Sequence, residues 1–225
     1  MQFQPRLVLC DLDGTLIDSV PDLAYSVDQT LQAVGLPPRG ETAVRCWVGN
    51  GVQRLVERAL TNDLNGHPNP ELFAQAMPIF MDYYQANTSG RSRVYDGVVE
   101  GLEYLKQCSN VHLGCVTNKA AQFTEVLLSD LGIAHYFAIT ISGDTLPEKK
   151  PHPMPLLHAA AHFGVDPTQC LMIGDSKSDV TAARAAGFHI ICTSYGYNHG
   201  EDIRNYHPDY VIDSFAELKQ LIVCS

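Results

Sequence analysis

The sequence predicts an α/β fold: a doubly wound, parallel, Rossmann-like sheet with an inserted α-helical cap subdomain. Three observations predict it. Short, nearly continuous apolar runs recur along the chain. Amphipathic stretches of helical period separate most of them. Between the first run and the second the alternation stops, and only helical patterns occur.

The strand candidates are 6–11 (RLVLCD), 111–117 (VHLGCVT), 137–142 (FAITIS), 170–174 (CLMIG), 189–193 (HIICT) and 209–212 (DYVI). Continuous apolar runs suit parallel strands covered on both faces. Helix 119–131 carries the stripe Phe123, Val126, Leu127 and Leu131 and is stopped by Gly132. Helix 153–163 opens on Pro153 and closes on Gly164, with Leu156, Leu157, Ala160 and Phe163 along one side. Helix 177–186 is alanine-rich and precedes Gly187, and a final helix opens with the capping box Ser214-x-x-Glu217. Strands and helices alternating in this way build an open sheet with helices on both faces.

A parallel crossover needs about a dozen residues, and far more separate the first two strands. Helix 20–34 opens with Ser19-x-x-Asp22 and carries Leu23, Val27, Leu31 and Val34. Helix 51–61 carries Val52, Leu55, Val56, Ala59 and Leu60. Helix 71–85 carries Phe73, Met77, Phe80 and Tyr84, and Pro78 is expected to kink or restart it. Residues 19–88 therefore read as the cap, returning through the polar linker NTSGRSR (87–93). Residues 1–18 and 89–225 form the α/β core.

Fifteen Lys and Arg against 25 Asp and Glu give a formal net charge of −10. A nucleic-acid binder needs a basic surface, so that class is set aside. A small anionic substrate remains compatible, because one site can be positive on an acidic protein. No apolar run reaches the ~20 residues of a membrane span. The N-terminal MQFQPRLVLC has no basic region followed by a long apolar stretch. A cytoplasmic protein without membrane or nucleic-acid partners is expected, and monomer or homodimer is left open. The seven cysteines lack C-x-x-C spacing, and Cys10, Cys115, Cys170 and Cys192 fall in or beside predicted strands. They read as free, buried thiols in a reducing compartment.

Doubly wound sheets bind ligands at the carboxyl ends of their strands. Those ends carry Asp11 and Asp13, then Thr117 and Asn118, then Lys149 and Lys150, then Asp175 and Asp179. Each alone has an ordinary reading: Asp13-Gly14 is a common turn, and Asn118 is a good helix N-cap. Together on one edge they mark a functional crevice. Like charges ~4 Å apart repel by about 4 kcal/mol at an effective dielectric near 20. Asp11, Asp13 and Asp175 must then be protonated, separated or neutralised by a cation. An all-oxygen site without His or Cys suits Mg²⁺. Cation, lysine and a helix N-terminus after Asn118 make an anion trap fitted to a phosphoryl group.

Four segments, DLDGTL (11–16), VTNK (116–119), KKPHP (149–153) and GDSKSD (174–179), resemble the four motifs of the haloacid dehalogenase-like phosphatases. Their order and spacing match across the whole core, and the helical insert after the first motif is similar to that family's cap. A narrower resemblance lies in WVGNGV (47–52), GDTLPEKKPHP (143–153) and SYGYNHGE (194–201), to members acting on 2-phosphoglycolate. YDGV (95–98) departs from their Tyr-Pro-Gly-Val at Asp96, in the cap linker.

The resemblance implies Mg²⁺-dependent hydrolysis of a phosphomonoester through an aspartyl phosphate, with 2-phosphoglycolate giving glycolate and phosphate. Asp11 would attack phosphorus; Asp13 would protonate the leaving alkoxide and later deprotonate water. Asp11, Asp175 and the backbone carbonyl of Asp13 would hold Mg²⁺. Thr117 and the Asn118 amide would bind phosphoryl oxygens. Lys150 would neutralise nucleophile and phosphate, with Lys149 facing solvent, and Asp179 would support the metal or Lys150. In the cap, Gly49 and Asn50 of the VGNG loop would meet a small substrate carboxylate. Arg45 and Arg54 stand near as further cations or as solvated helix residues, and Trp47 as cap core.

The same motifs fit a phosphosugar mutase, or a phosphatase of another small ester such as an amino-sugar phosphate. A dehalogenase has no use for the acid Asp13 offers. A phospho-accepting receiver domain is much shorter and has no cap. His158-x-x-x-His162 has metal-ligand spacing but lacks the Glu of H-E-x-x-H. Tyr195 and Tyr197 border the crevice in structural roles.

Overall fold

The run Leu7–Cys10 is wholly buried and forms β1 near the centre of the main sheet. The computed structural model describes residues 2–224. After β1 the chain makes β2 (Ile17–Asp18), then four helices, α1 (Val20–Ala33), α2 (Gly40–Trp47), α3 (Val52–Thr61) and α4 (Pro70–Ala86). It returns through β3 (Arg93–Val94) and α5 (Val98–Gln107) to β4 (His112–Val116). Then follow α6 (Ala121–Asp130), β5 (Ile139–Ile141), α7 (Met154–Phe163), β6 (Cys170–Gly174) and α8 (Lys177–Ala186). The chain closes with β7 (His189–Thr193), β8 (Tyr210–Ile212) and α9 (Leu218–Leu221).

The six-stranded sheet has the order β5-β4-β1-β6-β7-β8, and every neighbouring pair is parallel. All six predicted strands are present. Successive side chains of a strand face opposite sides, and β1 divides accordingly. Val8 and Cys10 enter one core with Leu102, Leu105 and Leu127 of the flanking helices. Leu7 and Leu9 enter the other with Leu156, Ala183 and Val180. Helices α1–α4 share a third core around Phe80, Tyr84 and Trp47, which also takes in Phe123 and Tyr197. The two chain segments between the helices and the sheet pair with each other, β2 against β3, antiparallel.

Four local expectations are corrected. Ser19 stands at the N-cap of α1 but does not cap it: its hydroxyl donates to Asp13 Oδ1 at 2.5 Å, while the Tyr197 hydroxyl accepts from the Ser19 N–H at 3.1 Å. Pro78 does not restart α4, which runs unbroken through it. One missing backbone donor is a local loss, and Ala76 and Phe80 on either side are fully buried. The capping box at Ser214 is present, but it opens a 3-10 turn before α9 rather than a long helix. The cysteines are not all free: Cys108 and Cys224 are disulfide-bonded, whereas Cys10, Cys115, Cys170 and Cys192 are buried thiols as expected.

Candidate active site

The three strands β4, β1 and β6 lie side by side and end level, because Cys10 stands opposite both Cys115 and Ile173. Asp11 and Thr117 each extend the ladder by one residue: Asp11 N–H donates to the Ile173 carbonyl and Thr117 N–H to the Ile141 carbonyl, both at 2.9 Å. The sheet thus delivers Asp11, Thr117 and Asp175 to one edge. Gly14 then turns the chain away at φ +89°, and a β-carbon there would lie 2.3 Å from Asp175 Oδ2. Only glycine allows both the turn and that approach.

Asp11, Asp175 and Asp179 are buried, and one oxygen of each lies within 4.8 Å of the others. Lys150 Nζ is set among them, 2.8 Å from Asp11 Oδ1 and 2.7 Å from Asp179 Oδ1, and donates to the Val116 carbonyl at 2.7 Å. Burial alone would lower the Lys150 pKa, but Asp11 and Asp179 more than offset that and hold the ammonium above its ordinary range. Burial pushes Asp11 up to about 7, with Lys150 pulling down and Asp179 pushing further up. Burial, then Asp11 and Asp179, raise Asp175 well above the carboxylate range. Three carboxylates face one lysine, so two negative charges are left over. Protons or a dication must neutralise them.

The donor set decides which carboxylates have room for a metal. Asp179 Oδ2 accepts from Ser176 N–H, the Ser176 hydroxyl and Asp175 N–H and is saturated, while its Oδ1 takes the Lys150 ammonium. Asp179 therefore holds Lys150 and caps α8. Asp175 is steadied by one donor per oxygen, Thr15 Oγ1 at 2.9 Å and Tyr197 N–H at 2.5 Å, which leaves each oxygen a lone pair. Asp11 and Asp175 thus fit a hard, oxygen-seeking cation.

Asp13 lies outside that cluster. Ser19 Oγ donates to its Oδ1, and Lys119 Nζ lies 2.9 Å from its Oδ2. Lys119 also donates to the Tyr84 hydroxyl of α4 at 2.8 Å. Burial would lower the Lys119 pKa, but Asp13 and Tyr84 hold it above its ordinary range; burial pushes the Tyr84 phenol up to about 12. The lysine stands inside the VTNK motif, but no local pattern marks Asp13 as its partner.

These groups open into a cavity of about 410 Å³ whose far wall is the loop 48–51 with Leu23, Met77 and Met81 of the helical segment. Asn118 does not cap α6, whose first N–H is taken by Asp144 Oδ1. Its side-chain amide donates instead to the Lys150 carbonyl at 2.8 Å and to the Gly49 carbonyl at 3.5 Å, linking sheet edge to loop. Gly49 and Asn50 line the cavity. Arg58, unremarked in the sequence, is buried behind them and donates to Asn50 Oδ1 at 2.8 Å and the Trp47 carbonyl at 2.6 Å. Arg45 and Arg54 turn elsewhere, Arg45 to Asp18 and Glu41, Arg54 to Glu57 and the Gly66 carbonyl. Lys149 does not face solvent alone: it lines the cavity opposite Gly51.

Residues 8–193 match the family model described as haloacid dehalogenase-like hydrolase. The chain belongs to the haloacid dehalogenase-like hydrolases. This hydrolase is 61% identical over 97% of both chains to a phosphoglycolate phosphatase of Nitrosococcus oceani. It is 45% identical to that of Thiobacillus denitrificans over 96% of this chain and 95% of the relative. Among solved structures, a predicted phosphoglycolate phosphatase from Haemophilus somnus superposes with a TM-score of 0.90, 38% identity and 98% of both chains covered. With relatives this similar over the whole length, the hydrolase is a phosphatase. Among the described residues no helix is long and apolar enough to cross a membrane.

Proposed function

We propose that this phosphatase is a cytoplasmic, Mg²⁺-dependent hydrolase of 2-phosphoglycolate working through an aspartyl phosphate, with residues 19–88 as the cap over its site. The observation that carries the reading is the position of Lys150, shared between Asp11 and Asp179 at the end of three adjacent strands, with Asp13 lining the same cavity. The likeness to two phosphoglycolate phosphatases along the whole chain supports the substrate.

Asp11 and Asp175, with the Asp13 backbone carbonyl, would hold Mg²⁺. Bound there, the ion supplies charge neutralisation that lets two anions meet. Thr117 receives phosphoryl oxygens, while Lys150, whose three N–H groups go to Asp11, Asp179 and the Val116 carbonyl, neutralises charge on the nucleophile and phosphate. An Asp11 oxygen bonds to phosphorus as the bond from phosphorus to the glycolate oxygen breaks, and that oxygen takes the Asp13 proton. Asp13, now a carboxylate, removes a proton from water. The water oxygen bonds to phosphorus, the bond to Asp11 breaks, and phosphate leaves. Ser19 and Lys119 hold the two Asp13 oxygens for both transfers.

A panel of phosphomonoesters tests the reading by kcat/KM with Mg²⁺ present: 2-phosphoglycolate should lead, and amino-sugar phosphates should trail. A higher kcat/KM for another ester, or conversion of a phosphosugar to its isomer without free phosphate, overturns it. EDTA should stop turnover and Mg²⁺ restore it.

A further inference from the structure

Lys149 and Lys150 are consecutive, yet they serve opposite sides of the cavity. Lys150 is buried and fully engaged by Asp11, Asp179 and the Val116 carbonyl. Lys149 is exposed, but its ammonium lies 3.4 Å from where a β-carbon on Gly51 would stand. It lines the cavity, and among the described residues no carboxylate or other acceptor engages its Nζ. A cation inside a cleft without a counter-ion is matched by an anionic group of a ligand.

The adjoining wall has the same polarity. Asn50 lines the cavity with its Oδ1 occupied by Arg58, so the free part of its amide is the N–H₂ donor. Gly51, at φ +91°, is a glycine in a left-handed conformation and so places no side chain where Lys149 approaches, while Gly49, at φ +131°, faces the His199 ring. The cavity therefore has a lysine at the phosphoryl end and a second lysine, with an amide donor, at the cap end. That arrangement fits a ligand with two separated anionic groups.

We propose that Lys149 is a specificity-determining residue: its ammonium, together with the Asn50 amide, binds the carboxylate of a short phosphorylated hydroxy acid. The inference rests on the reading of the site as a phosphatase of a carboxylated ester. It adds a core residue, supplied by the loop that also carries Lys150, to the recognition of the group farthest from the chemistry.

The test is steady-state kinetics on the full chain with Mg²⁺, using 2-phosphoglycolate and ethyl phosphate, which has the same two carbons and no carboxylate. The wild-type enzyme should prefer 2-phosphoglycolate. Lys149→Gln should raise its KM about ten-fold or more, keep kcat within about three-fold, and lower the selectivity ratio about ten-fold. Lys149→Arg should restore most of that ratio. Lys106→Gln, an exposed lysine on α5, controls for loss of overall positive charge and should leave the ratio unchanged. An unchanged ratio in Lys149→Gln overturns the inference, and so does an equal loss on both esters. A wild-type enzyme without preference for 2-phosphoglycolate overturns the substrate reading itself, and with it the role of Lys149.

Discussion

Lys119 Nζ stands 2.9 Å from Asp13 Oδ2, so the proposed acid and base of the reaction is held by a buried ammonium from the neighbouring strand end. The same ammonium reaches the Tyr84 hydroxyl in α4, and Tyr84 packs on Phe123 of α6 with ring centroids 4.5 Å apart. One side chain thus joins Asp13 to both the sheet edge and the helical segment. Lys119→Met should lower kcat about 10²-fold while KM changes only a few-fold, since proton transfer depends on the placement of Asp13. Tyr84→Phe keeps the ion pair and should cost less than about ten-fold in kcat. Kinetics with both variants, each checked for folding by thermal melting, decide the matter. If Lys119→Met keeps wild-type kcat, Asp13 needs no such support.

Asp11 gives a pH signature. Its folded pKa is raised from 3.8 to about 7, chiefly by burial. Between those values the native state keeps a proton that the unfolded chain releases, so stability falls as pH rises toward 7 and stays reduced above it. Asp175 is shifted in the same direction. In EDTA, the wild-type Tm should therefore fall between pH 4 and pH 8 relative to Asp11→Asn, by roughly 5 °C. Mg²⁺ competes with those protons and should raise Tm more at pH 8 than at pH 5. Asp11→Asn should also abolish turnover with the fold intact. An equal Mg²⁺ effect at both pH values would remove Asp11 and Asp175 from the metal site.

Asp11, Thr117 and Asp175 were legible because each directly follows a buried apolar run. Position in the chain then equals position on the sheet edge. What escaped depends on partners distant in sequence. Helix α2 has no capping residue of its own, since Asp28 of α1 accepts from Arg39 N–H and Gly40 N–H. Asn118 looked like the cap of α6, but Asp144 supplies that cap from another loop and frees Asn118 to bridge Lys150 and Gly49. Ser19-x-x-Asp22 has a capping pattern, yet Asp22 accepts instead from Arg91 N–H and Ser92 N–H on the return linker. Each local rule was satisfied in type and redirected by tertiary contact. Lys149 is exposed as expected; that it also lines the cavity was not legible, because a loop without regular period gives no rule for where alternate side chains point.

Arg58 offers a separate test of the cavity wall. Its guanidinium donates to the Trp47 and Leu64 carbonyls and to Asn50 Oδ1, and so fixes the loop 47–51 from behind. Arg58→Gln should raise KM for 2-phosphoglycolate about ten-fold and lower stability by about 1–3 kcal/mol, since buried acceptors lose their donor. A structural loss alone would add to the effect of Asn50→Ala. Positioning predicts that the double variant has nearly the KM of Arg58→Gln. Strict additivity in the cycle would mean that Arg58 stabilises the cap without orienting Asn50.

Asp18 ties β2, β3 and α2 to the site. It is buried on β2, accepts from the Tyr197 hydroxyl at 2.5 Å, and pairs with Arg45 of α2 at 3.1 Å and Arg93 of β3 at 3.0 Å. The Tyr197 backbone N–H in turn donates to Asp175 Oδ2. Arg93 is largely solvent-exposed and contributes little by charge, so the Tyr197 hydrogen bond and the Arg45 contact dominate. Asp18→Asn keeps the shape but weakens both, leaving Arg45 without its buried partner. A loss of about 2–4 kcal/mol is expected, near the lower range for breaking a buried pair. The loosening should be local, so hydrogen exchange should quicken at Tyr95 N–H, which donates to the Leu16 carbonyl across the two linkers. Amides in β1 and β6 should keep their protection. Uniformly faster exchange in linkers and sheet alike would show that Asp18 supports global stability rather than holding the two linkers to the site.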